Sequence, residues 1–180
     1  IVLLDACVLV PMPLADTLLR LAEPRPLFEA RWSDEILAET TRTLRNRFGK
    51  SNERAAYREN AMRQHFPMAL VTGHESLIPL MRCDKKDRHV LAAAVACDAD
   101  YLVTFNLRDF PASATDGLRT RVVGPSFLLK YLWQINSREV LRRIAAQAED
   151  IDSTVDDVLR RLALSVPAFV ESVRNSSHEE

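Results

Sequence analysis

The chain has 180 residues, 47% hydrophobic and 27% charged, and its 24 Lys and Arg against 25 Asp and Glu leave a net charge of −1. A chain of this length buries roughly two-thirds of its unfolded surface and folds without staples, and the balance excludes wholesale disorder, a collagen-like repeat and a nucleic-acid partner read from composition alone. No apolar run approaches the roughly 18 residues of a membrane span, and Ile1–Leu4, cut by Asp5 and preceded by no basic stretch, is not expected to be a signal peptide.

Ile1–Leu4 reads as a short buried strand that stops at Asp5. Pro11 and Pro13 interrupt the chain, and Leu14, Leu18, Leu19 and Leu21 then mark a helix ended by Pro24. Leu27–Trp32 is a second strand candidate. Ser33 is placed to cap a helix whose inner face is Ile36, Leu37, Thr40 and Leu44, with Gly49 closing it after Phe48. A further helix opens at Ser51 and runs to about His65, and Ala69–Thr72 is strand-like. Asp84 caps a helix from about Lys86 to Cys97, Tyr101–Thr104 is a buried strand, and Asn106–Thr115 is a polar loop. Arg121–Gly124 is a brief strand, and Pro125 opens a helix at its first turn. Short apolar strands alternating with helices predict an α/β fold with a central, mainly parallel sheet flanked by helices. The alternation stops near Gln134. Residues 135–175 carry only helical periodicity and form a helical C-terminal extension to a domain spanning 1–134, with 176–180 a disordered tail.

Charge is uneven. Thr41–Arg63 holds Arg42, Arg45, Arg47, Lys50, Arg54, Arg58 and Arg63 against Glu53 and Glu59, a local +5, whereas Ile144–Glu180 is −5. The first could face a polyanion or be a solvated helix face. Cys7, Cys83 and Cys97 form no CxxC pair, which disfavours a disulfide framework and a cysteine zinc site; each reads as a small buried apolar side chain in a reducing cytoplasm.

The informative feature is where the acids fall. Asp5 directly follows the first strand, Asn106 and Asp109 follow the strand ending at Thr104, Asp84 and Asp87 precede a helix, and Glu39 lies on the helix after the second strand. In a parallel sheet, ligands bind at the carboxyl ends of the strands, so these side chains converge. Singly, each has a structural reading as cap, turn former or solvated acid. Together they would repel by about 4 kcal/mol per close pair at an effective dielectric of 20. A divalent cation removes that penalty, and an all-oxygen set suits Mg²⁺ or Mn²⁺, ions used for phosphate chemistry.

The segments IVLLDACVLV (Ile1–Val10), RWSDEILAETTRTL (Arg31–Leu44) and DKKDRHVLAAAVACDADYLVTFNLRDF (Asp84–Phe110) resemble the PIN-domain nucleases, in particular VapC-type toxins of bacterial toxin–antitoxin pairs. The resemblance covers about Ile1–Leu132, and the last helices resemble the extension of one VapC subgroup. It implies a PIN-like domain acting as a metal-dependent endoribonuclease that cleaves RNA phosphodiesters through metal-activated water. Asp5, Glu39, Asp87 and Asp109 take the catalytic positions, with Asp5, Asp87 and Asp109 on Mg²⁺ or Mn²⁺ and Thr104 and Asn106 in support. Asn106 stands where many relatives have an acid, and Glu35, one turn before Glu39, is its rival. Arg42, Arg45, Arg47, Lys50, Lys85 and Arg108 are the expected RNA contacts, with Lys86 and Arg88 as alternatives. The resemblance further implies an RNA substrate (tRNA and rRNA being candidates), a VapB-like antitoxin and a homodimer, with no membrane partner. Two other readings stand beside it: a catalytically weak PIN-fold module that binds RNA or protein, and another Mg²⁺-dependent phosphate-handling enzyme. The second is weakened because Asp5-Ala-Cys7 lacks the Asp-x-Asp of haloacid dehalogenase-type phosphatases.

Overall fold

Val2–Leu4 form β1, buried at every position, as a strand covered on both faces requires. The computed structural model describes residues 1–23 and 25–176. Its chain divides into two units, Ile1–Val10 with Phe28–Val123, and Pro11–Leu27 with the chain from Gly124 onward. After β1 come a one-turn helix α1 (Ala6–Leu9) and α2 (Leu14–Leu21), the latter in the second unit. The first unit resumes with β2 (Ala30–Ser33), α3 (Asp34–Phe48), α4 (Asn52–His65), β3 (Leu70–Val71), α5 (Arg88–Ala96), β4 (Tyr101–Val103), α6 (Ala112–Thr115) and β5 (Arg121–Val123). Single 3-10 segments occupy Glu75–Leu80, Lys85–Asp87 and Leu107–Asp109.

The five strands lie in the order β3–β2–β1–β4–β5, and every pairing is parallel. This is the helix-flanked parallel sheet that the alternating pattern predicts. Chain order reverses between β1 and β4, which makes their carboxyl ends the topological switch point. Leu4 faces Val103 in register, so Asp5 and Thr104 leave the sheet side by side.

Local chemistry sets the helices that flank this edge. The Ser33 hydroxyl accepts the Ile36 N–H at 3.3 Å and starts α3, whose buried face is Ile36, Leu37, Thr40 and Leu44. Gly49 ends it at φ 59, a left-handed conformation that costs glycine little. Ser51 caps α4 in the same way through the Arg54 N–H. Val90–Ala94 of α5 are all buried; its small side chains fit a helix enclosed on several sides. Two expectations need correction. The helix expected from Lys86 begins as a 3-10 turn and becomes α-helical only at Arg88, and the expected loop Asn106–Thr115 contains a 3-10 turn and α6.

The second unit is helical: α2, α7 (Pro125–Asp150), α8 (Val155–Leu162) and α9 (Pro167–Ser176). Pro125 does stand at the first turn of α7. Asn136 breaks that helix at φ −154, and its side chain accepts the Glu139 N–H at 3.0 Å, recapping the second half. Buried Thr17 donates to Gln147 Oε1 at 2.7 Å, and Gln147 Nε2 donates to the Pro13 carbonyl at 3.1 Å, which ties α2 to α7. Trp133 meets Phe169 edge-on at 6.4 Å. The expected helix stop at Pro24 and the tail residues 177–180 lie outside the described residues, while Ser176 ends α9. Among the described residues, no helix is long and apolar enough to cross a membrane.

Candidate active site

At the switch point Asp5 is almost wholly buried, at 3% exposure. Its Oδ2 accepts the Thr104 hydroxyl at 2.7 Å and the Cys7 thiol at 3.1 Å. The adjacent exit of β1 and β4 creates the first contact; α1 creates the second, because one helical turn carries Cys7 back over the strand end. The same sulfur accepts the Phe105 N–H at 3.2 Å, and Thr104 Oγ1 accepts the Asn106 N–H at 3.0 Å. Cys7 is therefore a polar member of the site, which corrects its reading as a plain apolar filler. Burial, with the charge of Asp5 second, pushes its thiol up to about 12, so it stays protonated and holds Asp5 by donating.

Asp87, 8% exposed, sits where the 3-10 turn passes into α5. Its Oδ2 is buried and makes no hydrogen bond. Burial is the main reason its carboxyl is pushed up to about 7; Lys86 opposes the shift, and the charges of Asp109, Asp5 and Asp84 reinforce it. Asp5, Asp87 and Asp109 thus share one electrostatic neighbourhood. Asp84 caps its turn by accepting the Lys86 N–H at 3.1 Å, and its own N–H donates to the Asp109 carbonyl at 3.0 Å, joining the two loops. Lys86 Nζ lies 3.0 Å from Asp109 Oδ2 and 3.8 Å from Asp87 Oδ2. It is an ion-pair partner of the acids, a position that sequence spacing did not suggest for a candidate phosphate contact.

Glu39 has different company. It is exposed on α3, with the His89 ring nitrogen 3.9 Å from its Oε2. His89, two residues past Asp87 on α5, was missed from the sequence. Asn106 is exposed, and its backbone N–H is what ties it to Thr104. Arg42, Arg45 and Arg47 are exposed along the later turns of α3, Lys50 is exposed just beyond its Gly49 stop, and Lys85 and Arg108 are exposed on the loops beside the aspartates. The rest of the basic run is partly structural. Arg58 donates to the carbonyls of Leu9 and Val10, capping α1, and Arg63 pairs with Asp34 at 2.7 Å and Glu59 at 2.9 Å.

Asp87 Oδ2, buried without a hydrogen bond, and the neighbouring carboxylates of Asp5 and Asp109 make an oxygen donor set that could hold a divalent cation. The donors are oxygens, which fits Mg²⁺ or Mn²⁺. The cluster is not drawn tight: among the described residues, the trio whose ligand atoms already lie within 4.8 Å of one another is a different one, Glu35, His74 and Glu75.

A family model described as PIN domain matches residues 1–108. The chain is 34% identical over 109 residues to "Putative ribonuclease VapC50" of Mycobacterium tuberculosis, an alignment covering 59% of this chain and 64% of that protein. It thus spans less than two-thirds of that relative's length. No solved structure matches. With the family match covering more than half of the chain, from Ile1 through β4 to Arg108 and including Asp5, Glu39 and Asp87, the chain belongs to the PIN domain family.

Proposed function

We propose that this chain is a divalent-metal-dependent endoribonuclease, the toxin of a VapBC-type pair acting in the cytoplasm on RNA. The observation that carries this reading is the buried Asp87 carboxylate, whose Oδ2 makes no hydrogen bond and which feels the charges of Asp5 and Asp109 at the switch point of the sheet. Asp5, Asp87 and Asp109 would hold Mg²⁺ or Mn²⁺, which when bound supplies positive charge to a phosphodiester and its attacking water. Thr104 and Cys7 fix the Asp5 carboxylate in one orientation by donating to a single oxygen. Glu39 is suited to position a proton-bearing water, since His89 steadies it from one side. From Glu39 to Arg47 α3 rises about 12 Å, so Arg42, Arg45, Arg47 and Lys50 would follow the phosphates leading away from the acids, with Lys85 and Arg108 at the other flank.

A VapB-like antitoxin and a homodimer complete the proposal; the resemblance to VapC-type toxins is their support. The test is cleavage of total RNA by the purified chain with Mg²⁺ or Mn²⁺, beside Asp5→Asn and Asp87→Asn. Cleavage lost in both variants is expected. Equal cleavage by all three would mean a contaminant and would overturn the reading. Metal-independent RNA binding without cleavage would favour the binding module, for which exposed Asn106 in place of an acid argues.

A further inference from the structure

His74 is a further buried polar side chain on the carboxyl edge of the sheet. It follows β3 by three residues, Glu35 follows β2 by two, and those strands are parallel neighbours. Gly73, at φ 77, makes the turn that brings His74 inward. The His74 side chain is 2% exposed, and neither ring nitrogen makes a hydrogen bond. Each nevertheless faces a carboxylate: Nε2 lies 3.3 Å from Glu35 Oε2, and Nδ1 lies 4.0 Å from Glu75 Oε1. A neutral imidazole directs a lone pair at one of those acids, and a charged one would be buried without the hydrogen bonds that normally hold it.

We propose that Glu35, His74 and Glu75 form a second cation site, separate from the aspartate cluster, for a divalent first-row transition ion of the zinc class. One ligand atom from each residue already lies within 4.8 Å of the others. Two ligands at about 2.1 Å from a common ion are at most about 4.2 Å apart. The remaining closure falls to the two glutamates, whose side chains are 44% and 65% exposed, Glu35 shifting from its present contacts with Ser33 and its own N–H. The imidazole sets the class of ion, because nitrogen ligands suit zinc, copper, iron or nickel rather than magnesium, calcium or manganese. Three protein ligands leave the remaining coordination to water. The ion would pin the first turn of α3 to the turn after β3, one helical turn from Glu39, and would do so whether or not the chain cleaves RNA.

The test uses the full chain carrying Asp5→Asn and Asp87→Asn, so that the aspartate cluster is silenced. Calorimetry and elemental analysis with Zn²⁺ at neutral pH should show one equivalent bound. Adding Glu35→Gln or Glu75→Gln, both at exposed positions that leave folding undisturbed, should weaken it at least about tenfold, as should His74→Gln. Cobalt substitution reads the ligand type: absence of a thiolate charge-transfer band excludes Cys7, Cys83 and Cys97 as the source of binding. No zinc uptake, uptake indifferent to Glu35→Gln and Glu75→Gln, or a thiolate spectrum would each overturn the proposal. RNA cleavage enters none of these readouts, so failure here and failure of the nuclease reading are told apart.

Discussion

Replacing Asp87 by Asn tests the electrostatics of the cluster in isolation from catalysis. The Asp87 carboxyl rises from 3.8 to about 7 in the fold, chiefly through burial. Below both values it is neutral folded and unfolded. Between them the unfolded chain has released the proton while the fold retains it, so stability falls as pH rises, and the loss is complete above about 7. Three units at about 1.4 kcal/mol each give an unscreened loss of about 4 kcal/mol. Residual solvent screening reduces this to about 2 kcal/mol; the opposing charge of Lys86, 3.8 Å away, is already part of the rise to about 7. Asn keeps the shape and cannot ionise. In EDTA at pH 8, Asp87→Asn is therefore expected to be about 2 kcal/mol more stable than the parent, or roughly 4–8 °C in melting temperature for a domain of this size. At pH 4 the two should coincide. Added Mn²⁺ should stabilise the parent by more than the variant, since the variant has lost one of the three carboxylate ligands. Urea unfolding at several pH values measures each term. A variant less stable than the parent at pH 8 in EDTA, or a difference that does not change with pH, would refute the account of Asp87 as a repelled, cation-seeking carboxylate.

Cys7, with its thiol pushed up to about 12, should react with iodoacetamide at pH 8 far more slowly than in the urea-unfolded chain; equal rates would show that Asp5 does not hold it protonated. Lys86→Met removes the cation that lowers the Asp87 carboxyl, so the acid limb of metal-dependent cleavage should move to higher pH, and a shift to lower pH would contradict the ion-pair geometry. Thr17→Val leaves buried Gln147 Oε1 without its 2.7 Å donor and should cost about 1–3 kcal/mol in denaturant unfolding, with Thr17→Ser largely sparing it. Arg42→Ala with Arg45→Ala should reduce the salt dependence of RNA binding by about 0.7–0.9 per lost phosphate contact; an unchanged slope would move the RNA path off α3.

The sheet, and the placement of Asp5 and Asp109 just past its strands, were legible because apolar strands carry polar residues at their carboxyl ends; Asp87 follows no strand and stands where a 3-10 turn passes into α5. Asp5 and Thr104 each end a readable strand, and register alone places them together. What could not be read was the content of the short turns. Lys86 meets Asp87 and Asp109 because Lys85–Asp87 is 3-10 rather than α-helical, a difference with no periodicity to reveal it over three residues. Cys7 reaches Asp5 through a four-residue helix, too short to leave an amphipathic pattern. His74 was legible in principle, standing past a strand-like run as Asp5 does, yet a search confined to acids passes over it.

His74 belongs to a regular arrangement along the edge of the sheet. Three neighbouring strands, β3, β2 and β1, deliver His74, Glu35 and Asp5 in turn, and β4 delivers Thr104. Glu35 and Glu39 stand one turn apart on α3. Burial works to raise the Glu35 carboxyl, but its own N–H, Ser33 and the two imidazoles His74 and His89 hold it below the usual range. His89 therefore acts on both glutamates, at 3.9 Å from Glu39. A cation drawn to Glu35 and His74 would change the field at His89 and so at Glu39, without touching Asp5, Asp87 or Asp109. Occupancy of the histidine site should accordingly move the pH profile of cleavage through Glu39, and Glu35→Gln should abolish that movement while leaving cleavage at saturating Mg²⁺ intact.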